Sequence, residues 1–239
     1  MPVKLGMCGF TIGAASYYRQ FRVVEVQQTF YDPPSRETLV RWRREAPAGF
    51  EFTMKAWQVV THLGTSRTYR RLRSPFSQTA RQEAGAFRWN DTVRKAWDVT
   101  RECARILRAT AVLFQCPASF RATDANVAAM RRFFSSIDRP ESVRLLWEPR
   151  GSWPDDVVLG VCRDLDLWHA VDPFIRPSLT PELIYWRLHG NQSHYANYTD
   201  DELHKIYQWL PQDERDVYVL FNNIPRVQDV RRFRELYSI

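Results

Sequence analysis

The feature that most constrains this chain is a repeated alternation in which short apolar runs without internal polar alternation are each followed by a polar segment of helical period. The runs are Leu5 to Phe10, Val23 to Val26, Phe50 to Lys55, Ala111 to Gln115, Val143 to Trp147, Leu167 to Val171, Ile184 to Leu188 and Val217 to Phe221. A strand covered on one face alternates apolar and polar residues, whereas runs of this kind indicate strands covered on both faces, as in a parallel sheet flanked by helices. Eight such runs in 239 residues predict a closed (β/α)8 barrel of TIM type, eight parallel strands surrounded by helices, as a single domain over residues 1–239.

Helix-start signals fall between the runs. Ser35 precedes Arg36-Glu37, Thr123 precedes Asp124, and Thr199-Asp200-Asp201-Glu202 reads as a capping box. No internal repeat, low-complexity tract or Gly/Ser/Pro-rich linker argues for a second domain. One connection is long: about thirty residues separate the third run from a helix expected near Trp89, an uncommon length for a structureless loop. It carries Arg67, Arg70, Arg71, Arg73, Arg81 and Arg88, interleaved with Tyr69, Phe76, Phe87 and Trp89. Following a strand, it belongs on the carboxyl-terminal face, where barrel enzymes keep their active sites.

No apolar run approaches the roughly 18 to 20 residues of a membrane span, and Met1 to Lys4 leads into a strand-like segment, so a cytoplasmic protein with no membrane partner is expected. The four cysteines are widely spaced without a C-x-x-C pair, which favours buried thiols over a zinc or redox motif and leaves a Cys8–Cys116 bridge open. The formal charge of +7 comes almost wholly from arginine, since lysine occurs only at positions 4, 55, 95 and 205. Guanidinium groups form planar, bidentate contacts with phosphates and carboxylates, so an anionic partner is expected. The alternative is a solvated surface on which the 27 acidic residues pair with the arginines. The oligomeric state is not legible.

In a barrel, the residues closing each run are offered to a ligand at the mouth. Here they form a polar set. The catalytic candidates are Glu25, Lys55, Glu148 and His189, and the substrate-binding candidates are Thr29, Tyr31, His62, Gln115, Arg150, Asp172, Arg187, Tyr195, Tyr198, Asn222 and Asn223. Buried polar groups must each find a partner, so their clustering at one end asks for an explanation. Structural alternatives stand beside these roles. Glu25 with Lys55 or Arg187 would serve as an internal ion pair closing the barrel, His189 as a satisfied histidine, and Tyr195 and Tyr198 as packing under a loop.

Several segments, in order along the chain, resemble motifs of the YecE-like family, also known as domain of unknown function 72. They are Val24 to Tyr31 (V-E-V-Q-Q-T-F-Y), Phe52 to Lys55 with Thr61-His62, Leu113 to Pro117, Glu148 to Trp153, Arg187 to Gly190, and Asp216 to Asn223 ending in F-N-N. The resemblance implies a TIM barrel related in shape to sugar isomerases and apurinic endonucleases, without an established reaction. The chain departs from the family pattern at Met7-Cys8, at Gln27-Gln28 and at Ile224-Pro225-Arg226. The charged set Glu25, Lys55, Glu148, Arg150, Arg187 and His189 is intact.

The leading expectation is a hydrolase acting on a phosphate-containing substrate, a nuclease among the candidates. Arg150 and Arg187 would bind phosphate while Glu25 or Glu148 with His189 moves protons. The alternative is a non-catalytic module binding nucleic acid or a small anionic metabolite, with Arg67, Arg70, Arg71 and Arg73 as the nucleic-acid contacts. No cofactor is expected. A divalent metal on His62, Glu148, Asp172 and His189 is the weaker option, because no close-spaced ligand pair supports it. The spacing of Gly6, Gly9 and Gly13 does not fit a nicotinamide-binding turn.

Overall fold

In the computed structural model, which describes residues 3–238, eight parallel strands form one sheet. They are β1 (Val3–Cys8), β2 (Val23–Val26), β3 (Glu51–Lys55), β4 (Ala111–Gln115), β5 (Arg144–Glu148), β6 (Trp168–His169), β7 (Leu183–Leu188) and β8 (Asp216–Phe221). Each expected run contains its strand or overlaps it to within two residues. The ladder runs from β6 through β5, β4, β3, β2, β1 and β8 to β7. Val171 then closes the ring: its amide donates to the Tyr185 carbonyl at 3.1 Å and its carbonyl accepts from the Arg187 amide at 2.8 Å.

Around the sheet lie α1 (Ala14–Gln20), α2 (Gln28–Tyr31), α3 (Arg36–Glu45), α4 (Gln58–Thr61), α5 (Gln78–Glu83), α6 (Asp91–Leu107), α7 (Asp124–Ser136), α8 (Asp155–Leu165), α9 (Asp200–Gln208) and α10 (Arg226–Tyr237). The expected caps form. Ser35 and Thr123 accept from amides three residues on, and Thr199 and Glu202 satisfy each other's backbone donors reciprocally. α6 turns Val93, Ala96, Trp97, Thr100, Cys103, Ala104 and Leu107 inward at helical spacing, and its buried stripe seats it on the barrel. One helix of the regular alternation is missing between β6 and β7. Pro173, Pro177 and Pro181 punctuate that stretch, and each removes an amide donor that a helix would need.

The long connection after β3 is not structureless, contrary to its sequence pattern. It folds into α4, a 3-10 turn over Arg67–Arg71, and α5. Gly85 docks it, donating its amide to the Val59 carbonyl at 2.8 Å with φ +88. A Cβ there would lie 2.3 Å from the His62 carbonyl carbon, so only glycine fits. Tyr69 and Phe87 are buried. Tyr69 donates its hydroxyl to the His62 carbonyl at 3.0 Å, and Phe87 packs among Phe114, Phe120, Phe133 and Phe134. These aromatics anchor the segment and do not offer ring faces to a ligand.

Successive strand residues point to opposite faces, so a period of two sorts the barrel into an inside and an outside. The interior apolar cluster holds Cys8, Val23, Ala111, Leu113, Leu146, Ala170, Leu183, Tyr185, Tyr218 and Leu220. Two residues further along their strands come Glu25, Gln115, Glu148, Asp172 and Arg187, and Lys55 stands two beyond the buried Thr53. The strand period thus stacks the polar set on the interior core at the mouth. Among the described residues, no helix is long and apolar enough to cross a membrane. All four cysteines are free and buried, so no Cys8–Cys116 bridge forms.

Candidate functional site

Arg187 is the hub of the mouth. Its side chain is 1% exposed and lies between two buried carboxylates. Nε and Nη2 donate to Glu25 at 2.9 to 3.2 Å, and Nη1 donates to Glu148 Oε2 at 2.5 Å. Glu25 also accepts from the Tyr185 hydroxyl at 2.9 Å and from the Gln27 side-chain amide. Glu148 keeps its other oxygen for Arg150, at 2.9 Å. Burial alone would push the Glu148 pKa up, but Arg187, Arg150, His189 and Lys55 outweigh it and bring it down to about 2. The same two carboxylates hold the Arg187 guanidinium protonated against its own burial.

His189 stands beside this network. Its Nε2 meets Arg150 Nη2 at 2.5 Å, and because an arginine only donates, Nε2 must accept. The ring proton is therefore on Nδ1, facing Asp172 Oδ2 at 3.3 Å, while the His189 amide donates to the same oxygen at 2.9 Å. Burial lowers the imidazole pKa against the pull of Asp172 and Glu148, consistent with a neutral ring.

Lys55 is 3% exposed. Its ammonium nitrogen donates to Gln115 Oε1 at 2.8 Å and stands 3.8 Å from the centre of the Phe30 ring. Burial first, and the Arg187 charge second, lower its pKa to about 7.

Above this layer opens a cleft of about 490 Å³, lined in part by Cys8, Gln27, Gln28, Tyr31, Lys55, Arg71, Gln115, Arg187, His194, Asn222, Ile224 and Arg226. Its charged lining is basic throughout: Lys55, Arg71, Arg187 and Arg226, with no carboxylate. Arg71 stacks over the Tyr31 ring at 4.1 Å, and Arg226 has a buried Nε without a hydrogen-bond partner.

The structure brings Glu25, Lys55, Gln115, Glu148, Arg150, Asp172, Arg187 and His189 together, with Tyr31 and Asn222 at the cleft wall. Other candidates lie elsewhere. Thr29 spends its hydroxyl on the Val26 and Lys55 carbonyls, fixing the turn after β2. His62 is buried behind Phe30, bonded to the Thr61 hydroxyl at 2.8 Å, and burial lowers its pKa to about 3. It is therefore neither a substrate contact nor a partner to Glu148, Asp172 and His189 in a metal site. Asn223 is fully buried and tied to Asp229 and the Ala196 carbonyl. Tyr198 is buried against Phe174 and accepts from the Gly190 amide at 2.7 Å, whereas Tyr195 is 80% exposed, outside the cleft. Of the four loop arginines only Arg71 lines the cleft, and Arg67, Arg70 and Arg73 face solvent.

Among the described residues, no group of three or more His, Cys, Asp or Glu side chains is arranged to hold a metal ion. The cause is visible in the pairing: Arg187 and Arg150 occupy the carboxylate oxygens a cation would use. Sequence reasoning missed Arg226, His194, Cys8 and Gln27 as lining residues. Three of these carry another signal, since Cys8, Gln27 and Arg226 fall in segments where the chain departs from the family pattern.

No match was found among curated proteins. Solved structures do match. A DUF72 family protein from Enterococcus faecalis superposes with a TM-score of 0.73 at 17% identity, over 99% of this chain and 96% of that one. A xylose isomerase domain containing protein from Salmonella typhimurium gives 0.61 at 11% identity, covering 99% and 98%. Endonuclease IV from Thermus thermophilus gives 0.51 at 12% identity, also covering 99% and 98%. At such identities these likenesses establish the barrel fold alone. The family model for the protein of unknown function DUF72 matches residues 14–239, nearly the whole chain, and the chain belongs to that family.

Proposed function

We propose that the mouth of the barrel takes up a small anionic substrate, a phosphate-bearing molecule first among the candidates, and that Lys55 exchanges protons with it. One observation carries this reading: every charged side chain lining the cleft is a base. Three guanidinium groups and the Lys55 amine around a partly enclosed space attract an anion, and arginine donors give it fixed geometry. The unpartnered Nε of Arg226 is a donor awaiting an acceptor. Lys55, with a pKa near neutrality and a place in the cleft lining, is suited to proton transfer.

Phosphoester hydrolysis with Glu25 or Glu148 activating water is less well supported, because both carboxylates are committed to Arg187. The same commitment favours a second reading, a non-catalytic binder of small anions. The distant likeness to an endonuclease adds no support for nucleic acid beyond the shared fold.

Calorimetric titration with sulfate, inorganic phosphate and a hexose phosphate, against the unphosphorylated hexose, tests the reading. The anions should bind and the neutral sugar should not. Arg71→Ala and Arg226→Ala should each weaken binding about tenfold or more, since a charged hydrogen bond is worth about 1.5 to 3 kcal/mol. A hexose binding as tightly as its phosphate would sink the reading. Turnover of any bound phosphate compound would separate an enzyme from the binder.

A further inference from the structure

A buried lysine normally survives by pairing with an acid. Lys55 does not. Among the described residues no carboxylate lies within 4.0 Å of its nitrogen, although Glu25 and Glu148 share the same mouth. Those acids are taken by Arg187, Arg150, Tyr185 and Gln27, which leaves the amine one amide oxygen and the face of Phe30. The charged groups facing it are Arg187 as a repulsion and Glu25 and Glu148 as weaker attractions. An amine so placed is partly deprotonated at neutral pH and keeps a free lone pair. It also lines the cleft, where a ligand reaches it. Desolvation and a neighbouring cation are the two conditions that turn a lysine into a nucleophile.

We infer that Lys55 is a covalent nucleophile: its amine condenses with the carbonyl carbon of a small aldehyde, ketone or 2-oxo acid whose phosphate or carboxylate is held by the arginines of the cleft. The nitrogen lone pair forms the C–N bond as the carbonyl π pair moves onto oxygen. A proton then passes from nitrogen to that oxygen, giving the carbinolamine. The C–O bond breaks as the nitrogen lone pair forms C=N, and the oxygen leaves as water with the second N–H proton. One water is lost, the imine takes up a proton from the medium, and no oxidant or reductant takes part. The inference rests on the anion-binding reading for delivery of the substrate, while the reactivity of the amine is independent of it.

The scarcity of lysine makes the test clean, because only Lys4, Lys55, Lys95 and Lys205 carry side-chain amines. The intact protein is incubated at pH 7 with dihydroxyacetone phosphate or with uncharged dihydroxyacetone, reduced with sodium borohydride, and digested for mass spectrometry. Reduction converts the imine to a stable secondary amine whose mass gain is the probe less one oxygen. An ordinary exposed lysine, with a pKa of about 10.4, is almost wholly protonated at pH 7, so Lys55 should be labelled roughly tenfold or more over Lys95 and Lys205. Excess sulfate should suppress labelling by the phosphate probe. Equal labelling of Lys55, Lys95 and Lys205, or none at Lys55 while sulfate binds the cleft, overturns the inference and leaves the anion reading standing. Selective labelling of Lys55 by both probes at one rate, indifferent to sulfate, supports the nucleophile and removes the anion reading.

Discussion

The two ends of the barrel each carry a cavity, an ionic network and a lysine, and they are organised in opposite ways. At the floor, a cavity of about 600 Å³ is lined by three bases, Lys4, Arg139 and Arg144, and three acids, Glu51, Asp166 and Asp216. Lys4 bonds Glu51 at 2.8 Å, Asp216 at 3.0 Å and the Tyr218 hydroxyl at 3.1 Å, and Arg144 takes the other Asp216 oxygen. Burial pushes the Lys4 pKa down, but these three partners outweigh it and raise it. At the mouth, acids and arginines pair beneath the surface, and what remains exposed to the cleft is base alone. The larger cavity is the balanced one. Charge balance marks a region that closes the fold, and imbalance marks a region that awaits a partner.

The largest test of this contrast is the loss of each network's hub. Arg187→Met leaves Glu25 buried without its counter-charge and Glu148 with Arg150 alone, and breaking a buried pair in this way costs about 3 to 5 kcal/mol. Lys4→Met removes a partly solvated partner, where pairs are worth about 1 kcal/mol or less. Urea unfolding midpoints should fall accordingly. Similar losses in the two variants would erase the distinction between the ends.

The lysines should also give pH slopes of opposite sign. Lys55 has a folded pKa of about 7 against an ordinary 10.5, so between those values the unfolded chain binds more protons and stability rises with pH. The slope is at most about 1.4 kcal/mol per pH unit, and Lys55→Met should remove it. The raised pKa of Lys4 works the other way. Its contribution is fully present below the ordinary value and is lost as pH climbs above it toward the folded pKa. Unfolding measured from pH 7 to 10 for Lys55→Met, and above pH 10.5 for Lys4→Met, checks the signs; a Lys55→Met protein that keeps the wild-type rise would show that the amine is charged when folded.

A smaller effect is expected on the acid side. Glu148, with its pKa brought down to about 2, contributes stability that is present above its ordinary value of 4.5 and lost as pH falls toward 2. Glu148→Gln should flatten that part of the acid-unfolding curve. It should also lower stability at pH 7, because Arg187 and Arg150 lose a shared counter-ion. A variant as stable as the wild type at pH 7 would demote the carboxylate to a bystander.

The barrel is legible because strand burial leaves its mark in consecutive residues. Val23 to Val26 and Ala111 to Gln115 are located to the residue, since both faces of those strands are covered. The inner polar layer is legible for the same reason, each member lying within one residue of the end of a run. What escapes the sequence lies on connections, where position depends on how a loop docks. His62 belongs to the same motif as Lys55 and follows the strand that Lys55 ends, yet α4 turns it behind Phe30. Arg226 sits in a segment with no strand pattern and reaches the cleft only because α10 starts there. Composition counts the arginines of the long loop but does not say that Tyr69 and Phe87 are buried and Arg71 alone is directed to the mouth.

That last division gives the finest test. Arg67, Arg70, Arg71 and Arg73 lie within seven residues, and among the described residues none has a carboxylate within 4.0 Å. If the loop serves a small anion, only Arg71 matters, since it lines the cleft and is held over Tyr31. Arg71→Ala should then weaken sulfate binding about tenfold or more, as expected when one charged hydrogen bond is removed, while Arg67, Arg70 and Arg73 replaced together change it less than about twofold. If the loop serves a nucleic acid, all four neutralise phosphates and release counterions, so affinity for a short single-stranded oligonucleotide should fall steeply with salt. The triple variant should flatten that slope by roughly 0.7 for each phosphate left without its arginine. The buried aromatics weigh against this outcome, because Tyr69 and Phe87 have no ring face left for a base to stack upon. An oligonucleotide whose salt slope responds to the triple variant would extend the basic mouth onto the loop and make the partner a polyanion.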